Sequence, residues 1–279
     1  MARIKISKKK IENLYEISRQ ARKLMVHALV QAGCGHPGGA FSSVDIMIGL
    51  YFAVMKLDCN NPHWEERDRF ILSKGHSSVA FYSVLSLAGF LCHESLMTFR
   101  QDGSLLSGHP DMHKVPGVEA STGSLGHGLS IGAGLALSGK MDRKKYRVFV
   151  LMGDGETQEG SVWEAAMFSR HYKLDNLVGI IDRNKLQIDG STEKIMALEP
   201  YRAKWKSFGW EVKVIDGHNM RQIVNVFKNI PFRKGAPSLV IANTVKGKGI
   251  SFMEDKPEWH GRPLKGRYAD IARQEIECF

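Results

Sequence analysis

Apolar and polar positions divide the chain into helical and extended stretches. Over residues 12–32, Leu14, Ile17, Ala21, Leu24 and Ala28 recur at three- and four-residue spacing, which predicts an amphipathic helix stopped by Gly33 and Gly35. Residues 43–55 and 76–87 read as two more helices, and the polar, proline-containing stretch 60–67 as a surface loop. Residues 69–73 form a short apolar run expected to be a buried strand. Two longer runs, 148–152 and 177–181, have the continuous apolar character of parallel strands covered on both faces. The segment between them can hold a crossover helix, with Trp163, Ala166 and Met167 expected to point inward. That makes one βαβ unit. A second is predicted from strands at 211–215 and 239–242 around a helix at 220–228. The expected fold class is therefore α/β, a mostly parallel sheet with helices on both faces that uses all 279 residues as one domain.

Three stretches break this pattern. Residues 91–122 are turn-rich, and so long a loop inside a compact domain usually serves function. Gly126, Gly128, Gly132, Ala133, Gly134 and Ala136 make a helix of small residues over 126–139, expected where another element or a ligand comes close. The tail from Lys256 is polar and predicts no clear element.

Composition narrows the class without naming a function. A hydrophobic content of 43% is ordinary for a globular protein, and no apolar stretch approaches the ~20 residues that cross a bilayer. The start, MARIKISKKK, is charged with no apolar core behind it, so no membrane association and a cytoplasmic protein are expected. Cys34, Cys59, Cys92 and Cys278 show neither CxxC pairing nor metal spacing, which points to free thiols in a reducing compartment. A net charge of +10 raises the question of nucleic acid. Its basic residues are spread over 8–10, 143–145, 202–206 and 246–248, without an RNP pattern or helix-turn-helix signature. They predict a solvated basic surface that steers anionic substrates, and no nucleic-acid partner.

Chemistry gathers at the strand ends. Asp154 follows the first strand of the central unit and Asn184 follows the second, so both are expected at one cleft beyond the carboxyl ends of the sheet. Two hard oxygen donors there suit Mg²⁺, which completes its octahedron with water and phosphate. Gly153 and Gly155 allow a diphosphate close to the backbone, and the helix start after 155 offers free N–H groups. Gly-Asp-Gly alone is a common turn; its pairing with Asn184 across a βαβ unit carries the specificity. Four of the 11 histidines, His36, His76, His109 and His260, sit in glycine- or proline-marked turns, where imidazole can donate to phosphate and exchange protons. Their spacing matches no zinc motif.

In order along the chain, Gly35-His36-Pro37-Gly38, the run from Asp68 to His76, Gly108-His109-Pro110, Thr122-Gly123-Ser124-Leu125-Gly126, Gly153-Asp154-Gly155 with Asn184, Ile188-Asp189-Gly190 and the run from His260 to Leu264 resemble the N-terminal half of transketolases. The resemblance covers nearly the whole chain. It implies a domain that binds the diphosphate end of thiamine diphosphate, with Asp154, Asn184 and the Leu186 carbonyl holding Mg²⁺ and Gly155 near the diphosphate. His76 and His260 would contact diphosphate or substrate, and His36 and His109 would face the sugar. All four histidines would serve acid–base steps. Gly123 and Leu125 would touch the cofactor through their backbones, and Glu159 matches an acidic position at the interface between active sites. His127 stands where the family commonly has Gln, and Ser124 where many members have Pro.

Full-length transketolases continue into a pyrimidine-binding domain that supplies the cofactor-activating glutamate, whereas this chain stops at Phe279. The expectation is one subunit of a split transketolase. It would move a two-carbon ketol unit from a ketose to an aldose, on sugar or sugar-phosphate substrates. Its partner would be a C-terminal subunit carrying the pyrimidine-binding domain, in an α2β2 assembly. Two other readings remain: a related thiamine diphosphate enzyme (1-deoxyxylulose-5-phosphate synthase-like, or acting on modified sugars), and a non-enzymatic phosphate-binding α/β module.

Overall fold

Parallel strands β1 (Arg69–Leu72), β2 (Val148–Gly153), β3 (Leu177–Arg183), β6 (Glu211–Asp216) and β7 (Ser238–Asn243) form one sheet in the order β1-β2-β3-β7-β6. A separate antiparallel hairpin joins β4 (Leu186–Gln187) to β5 (Gly190–Ser191). The computed structural model describes residues 6–278, so the first five residues of the charged start lie outside it. Both predicted βαβ units are present. Gly153 is in register with Asp182 and Asp182 with Ala242, so the chain leaves β2, β3 and β7 at one common edge.

Alternate side chains of each strand enter two apolar layers. Phe149, Leu151, Val178 and Ile180 face α1 (Lys8–Ala32), α2 (Pro37–Ala53), α3 (Ser78–Leu87), α8 (Met220–Lys228) and α9 (Arg267–Cys278). Val148, Val150, Met152 and Ile181 face α4 (Gly128–Met141), α5 (Gly160–His171) and α7 (Tyr201–Ser207). The short α6 (Thr192–Ile195) follows the hairpin. Helix α1 is bounded as its sequence predicts: Ser7 accepts the Lys10 N–H, and Gly33, at φ 62°, closes the C-terminus with its N–H on the Leu29 carbonyl at 3.0 Å.

Several expectations change. Helix α2 begins at Pro37, not at residue 43, because proline is well suited to a first helical position and the two following glycines fit a tight space. A Cβ on Gly38 would lie 2.8 Å from the Trp259 carbonyl oxygen. Met167 is 57% exposed, since the buried stripe of α5 runs through Val162, Ala165, Ala166 and Ser169 and residue 167 lies about 100° further round. The tail is not shapeless: α9 seats Ala269, Ala272 and Ile276 against the core, with small side chains that give a weak apolar signal. Within 91–122 a single 3-10 turn, His93–Thr98, interrupts the loop. Lys246, expected on a solvated surface, is 1% exposed.

Candidate functional site

The edge where β1, β2, β3 and β7 end opens into a cavity of about 250 Å³. Asp154, Gly155, Asn184 and Leu186 line it, as do Leu125, His76 and His260. Gly123, His36 and His109 lie outside those walls but adjoin them. The His36 ring centroid is 5.4 Å from His76, 6.3 Å from His109 and 5.6 Å from His260, and His76 and His260 are 5.1 Å apart. Gly123, at φ 146°, packs under His109, where a Cβ would come within 2.9 Å of the ring. Four turns far apart in sequence thus bring their imidazoles together, and all ten predicted site residues fall in one region.

Each oxygen donor is oriented by its surroundings. Asp154 is buried; one carboxylate oxygen accepts the Gly155 N–H at 2.8 Å, the other the Lys185 N–H at 2.6 Å and Arg183 Nη1 at 3.2 Å. Burial and the nearby Asp182 raise the Asp154 carboxyl above its ordinary range, against the opposing pull of Arg183 and the two N–H groups. Asn184 gives its amide nitrogen to Asp182 Oδ2 and Ser42 Oγ, both at 3.3 Å, and its Oδ1 accepts the Leu186 N–H at 3.1 Å.

Sequence reasoning assigned no role to Lys74, Asp182, Arg183 or Lys246. Lys74 Nζ, buried, forms an ion pair with Asp182 and donates to the Gly39 carbonyl at 2.8 Å. Lys246 Nζ lies 3.2 Å from His260 Nδ1 and 3.5 Å from the Leu186 carbonyl oxygen. An ammonium only donates, so His260 Nδ1 accepts and its proton sits on Nε2. Glu156 is 4% exposed and accepts from Ser73 Oγ and from the N–H groups of Gly126 and Gly153. The available signals were position alone: Lys74 lies between the end of β1 and His76, and Lys246 just beyond β7.

Burial, reinforced by crowded positive charge, sets the electrostatics of the cleft. Burial, then Lys246 and His36, push His260 down to about 3. His76 is driven well below its usual value by burial and Lys74, and His36 and His109 are lowered by burial and Arg100. Burial and Lys74 push the Lys246 ammonium down to about 8. Every one of these shifts would be relieved by an anion in the cleft.

These residues fit a metal–diphosphate group. Asp154, Asn184 and Leu186 offer carboxylate, amide and carbonyl oxygens to one space, and two buried lysines stand beside them. Among the described residues no cluster of three or more His, Cys, Asp or Glu could hold a metal, so a softer, nitrogen- or sulfur-seeking ion has no cage. His36 Nδ1 is buried without a hydrogen-bond partner among the described residues, and a Cβ on Gly39 would crowd Lys74, Ser77 and His76 at 3.2–3.4 Å.

Residues 15–277 match the family model described as transketolase, thiamine diphosphate binding domain. Over 268 residues the chain is 46% identical to an apulose-4-phosphate transketolase subunit of Phocaeicola vulgatus, covering 96% of this chain and 95% of that one. It is 42% identical over 269 residues to a 6-deoxy-6-sulfo-D-fructose transketolase subunit of a Clostridium species, covering 95% and 98%. The crystal structure of transketolase from Campylobacter jejuni superposes with a TM-score of 0.86 at 31% identity, over 98% of this chain and 43% of that one. The chain thus spans less than half the length of that transketolase chain.

Proposed function

Because the chain belongs to the transketolase thiamine diphosphate binding domain family, we propose that it is the diphosphate-binding subunit of a split, Mg²⁺-dependent transketolase. The observation that carries this reading is the meeting of four imidazoles, an all-oxygen donor set and two buried lysines at one sheet edge. When bound, thiamine diphosphate supplies the carbanion chemistry for moving a two-carbon ketol unit between a ketose and an aldose.

The residues of this chain bind, orient and transfer protons. Asp154, Asn184 and the Leu186 carbonyl hold Mg²⁺, with Gly155, Gly123 and Leu125 offering backbone groups to the cofactor. Lys246, His76 and His260 face the diphosphate. Its negative charge stabilises their protonated forms, against the burial that now keeps the imidazoles neutral. His36 and His109 stand outside the cavity walls, with Arg100 acting on both, and serve the hydroxyl and carbonyl oxygens of the sugar. A neutral imidazole there can accept a hydroxyl proton near pH 7. The substrates proposed are sugars with an anionic end, in line with the phosphorylated and sulfonated sugars named for the two relatives.

The pyrimidine-binding domain is proposed to lie on a separate chain, since the relatives matched along nearly their full length are named as subunits. Exposed apolar side chains on α4 and α5 support assembly: Ile131 and Met141 on α4, Met167 and Phe168 on α5, and Tyr172 at the C-cap of α5. We place an interface there, in an assembly of two copies of this chain and two of the partner, working in the cytoplasm. No helix among the described residues is long and apolar enough to cross a membrane. The test is to supply the purified chain with Mg²⁺, thiamine diphosphate, ketose donors and aldose acceptors, then add the partner. Activity that appears only on mixing is expected; turnover by this chain alone refutes the split arrangement.

A further inference from the structure

A histidine outside the cleft holds the backbone beside Lys246. Asp45, on α2, is buried beneath α1. Arg22 donates to its two oxygens at 2.9 and 2.8 Å, and Ser18 Oγ adds a third bond. Burial alone would raise this carboxyl, but the Arg22 guanidinium outweighs it and holds Asp45 well below the usual range. The same carboxylate lies 2.7 Å from His218 Nδ1, and on the far side of that ring the Val245 N–H donates to Nε2 at 2.9 Å. A nitrogen that accepts an N–H carries no proton, so the His218 proton is on Nδ1 and points at Asp45. Val245 precedes Lys246, whose own carbonyl accepts from the Asp255 N–H at 3.0 Å while the Gly247 N–H reaches the Gly38 carbonyl at 2.9 Å. His218 is the one side chain in this set of three anchors.

We propose that His218 is a positioning residue for the diphosphate end of the site: oriented by Asp45, its Nε2 holds the Val245 N–H and keeps Lys246 in the cleft. This rests on the reading that Lys246 faces a diphosphate. Its logic is that of outer-shell partners elsewhere, where a carboxylate fixes an imidazole tautomer and the ring's second nitrogen acts on the site.

Two conservative variants separate the ring's two duties, because the Gln Oε1 reaches the Nε2 position and the Asn Nδ2 the Nδ1 position. Two quantities are measured on the full chain. One is the hydrogen-exchange rate of the Val245 amide, whose N–H donates to His218 Nε2. The other is the affinity for inorganic pyrophosphate with Mg²⁺. His218→Gln is expected to keep both near the parent values. His218→Asn should speed Val245 amide exchange roughly tenfold and weaken pyrophosphate by a similar factor, the ~1.4 kcal/mol equivalent of one lost hydrogen bond. The reverse order, with Asn preserving and Gln losing, makes His218 only a prop for Asp45 and overturns the proposal, as does no change in either variant. Should a variant fail to fold, ¹⁵N spectra of the parent chain decide: the proposal requires the tautomer with the proton on Nδ1 and Nε2 bare, and the opposite tautomer overturns it. Lys246→Met is the control. If it binds pyrophosphate as tightly as the parent, the diphosphate reading fails, while Val245 amide exchange in the other two variants still judges His218.

Discussion

Replacing Asp182 with alanine strips four donors of one acceptor. Lys74 Nζ, Ser42 Oγ, Thr244 Oγ1 and Asn184 Nδ2 all donate to this fully buried carboxylate. The largest loss is the charge pair, because Lys74 is itself only 2% exposed and would be left buried and uncompensated. Breaking a buried pair from one side costs about 3–5 kcal/mol, which for a chain of this size lowers the melting temperature by roughly 6–20 °C. Removing Lys74 as well deletes the stranded charge, so Asp182→Ala/Lys74→Met should recover part of the loss. The pH dependence has a definite sign. Burial pushes the Asp182 carboxyl up, but Lys74 and the hydroxyl donors prevail and its folded value is lowered. Its stabilisation is therefore present above the ordinary carboxyl value of about 3.9 and is lost as the pH falls below it. Thermal melts of the three proteins from pH 7 to pH 3 check all of this. A double variant less stable than Asp182→Ala, or a single variant melting within about 2 °C of the parent, would refute the uncompensated charge as the cause.

Three further outcomes are expected. Asp154→Ala should abolish Mg²⁺-dependent binding of thiamine diphosphate by the assembled enzyme while leaving the fold largely intact; an unchanged cofactor titration refutes the metal assignment. His109→Ala should reduce ketol transfer more than cofactor affinity, since His109 stands beyond the cavity walls on the Arg100 side; steady-state kinetics and a binding titration of the same variant decide. Binding of pyrophosphate with Mg²⁺ to the chain should weaken as the pH rises through about 8, where burial and Lys74 place the Lys246 ammonium, because only the charged amine attracts the anion. Calorimetry near that pH in buffers of different ionisation enthalpy should show net proton uptake on binding, and release would contradict the assignment.

Reading the chain as sequence recovers the sheet well, because continuous apolar runs have few alternatives to a covered parallel strand, and residues 148–152 and 177–181 lie within β2 and β3. It recovers the start of α2 and the whole of α9 poorly. Proline followed by two glycines resembles a turn until packing against Trp259 shows why larger residues do not fit. A helix seated through alanines carries little hydrophobic contrast. At the site, residues in punctuated turns stood out: Asp154, Asn184 and the four histidines. Lys74 and Lys246 did not, since a lysine's ordinary place is in water and only the tertiary fold shows that Asp182, Gly39 and Leu186 surround these two. Likewise Arg183 pairs with Asp154 from the end of β3, a contact that crosses between neighbouring strands and leaves no local mark.

The cleft is assembled from residues between His36 and His260, delivered by the ends of four adjacent strands, the turn ahead of α2, the loop ahead of α4, the β4–β5 hairpin and the segment before α9. Opening any strand of this set dissolves the site, so a tightly held ligand protects the whole sheet at once, by RT ln(1 + [L]/Kd), or roughly 2.7 kcal/mol at a hundredfold excess over Kd. Amide exchange deep in β2 and β3 should therefore slow with ligand concentration as steeply as exchange beside the cleft. The supply of cofactor in the cell would then govern how long each copy of the chain survives proteolysis, with occupancy setting the turnover of the protein as well as its catalytic rate.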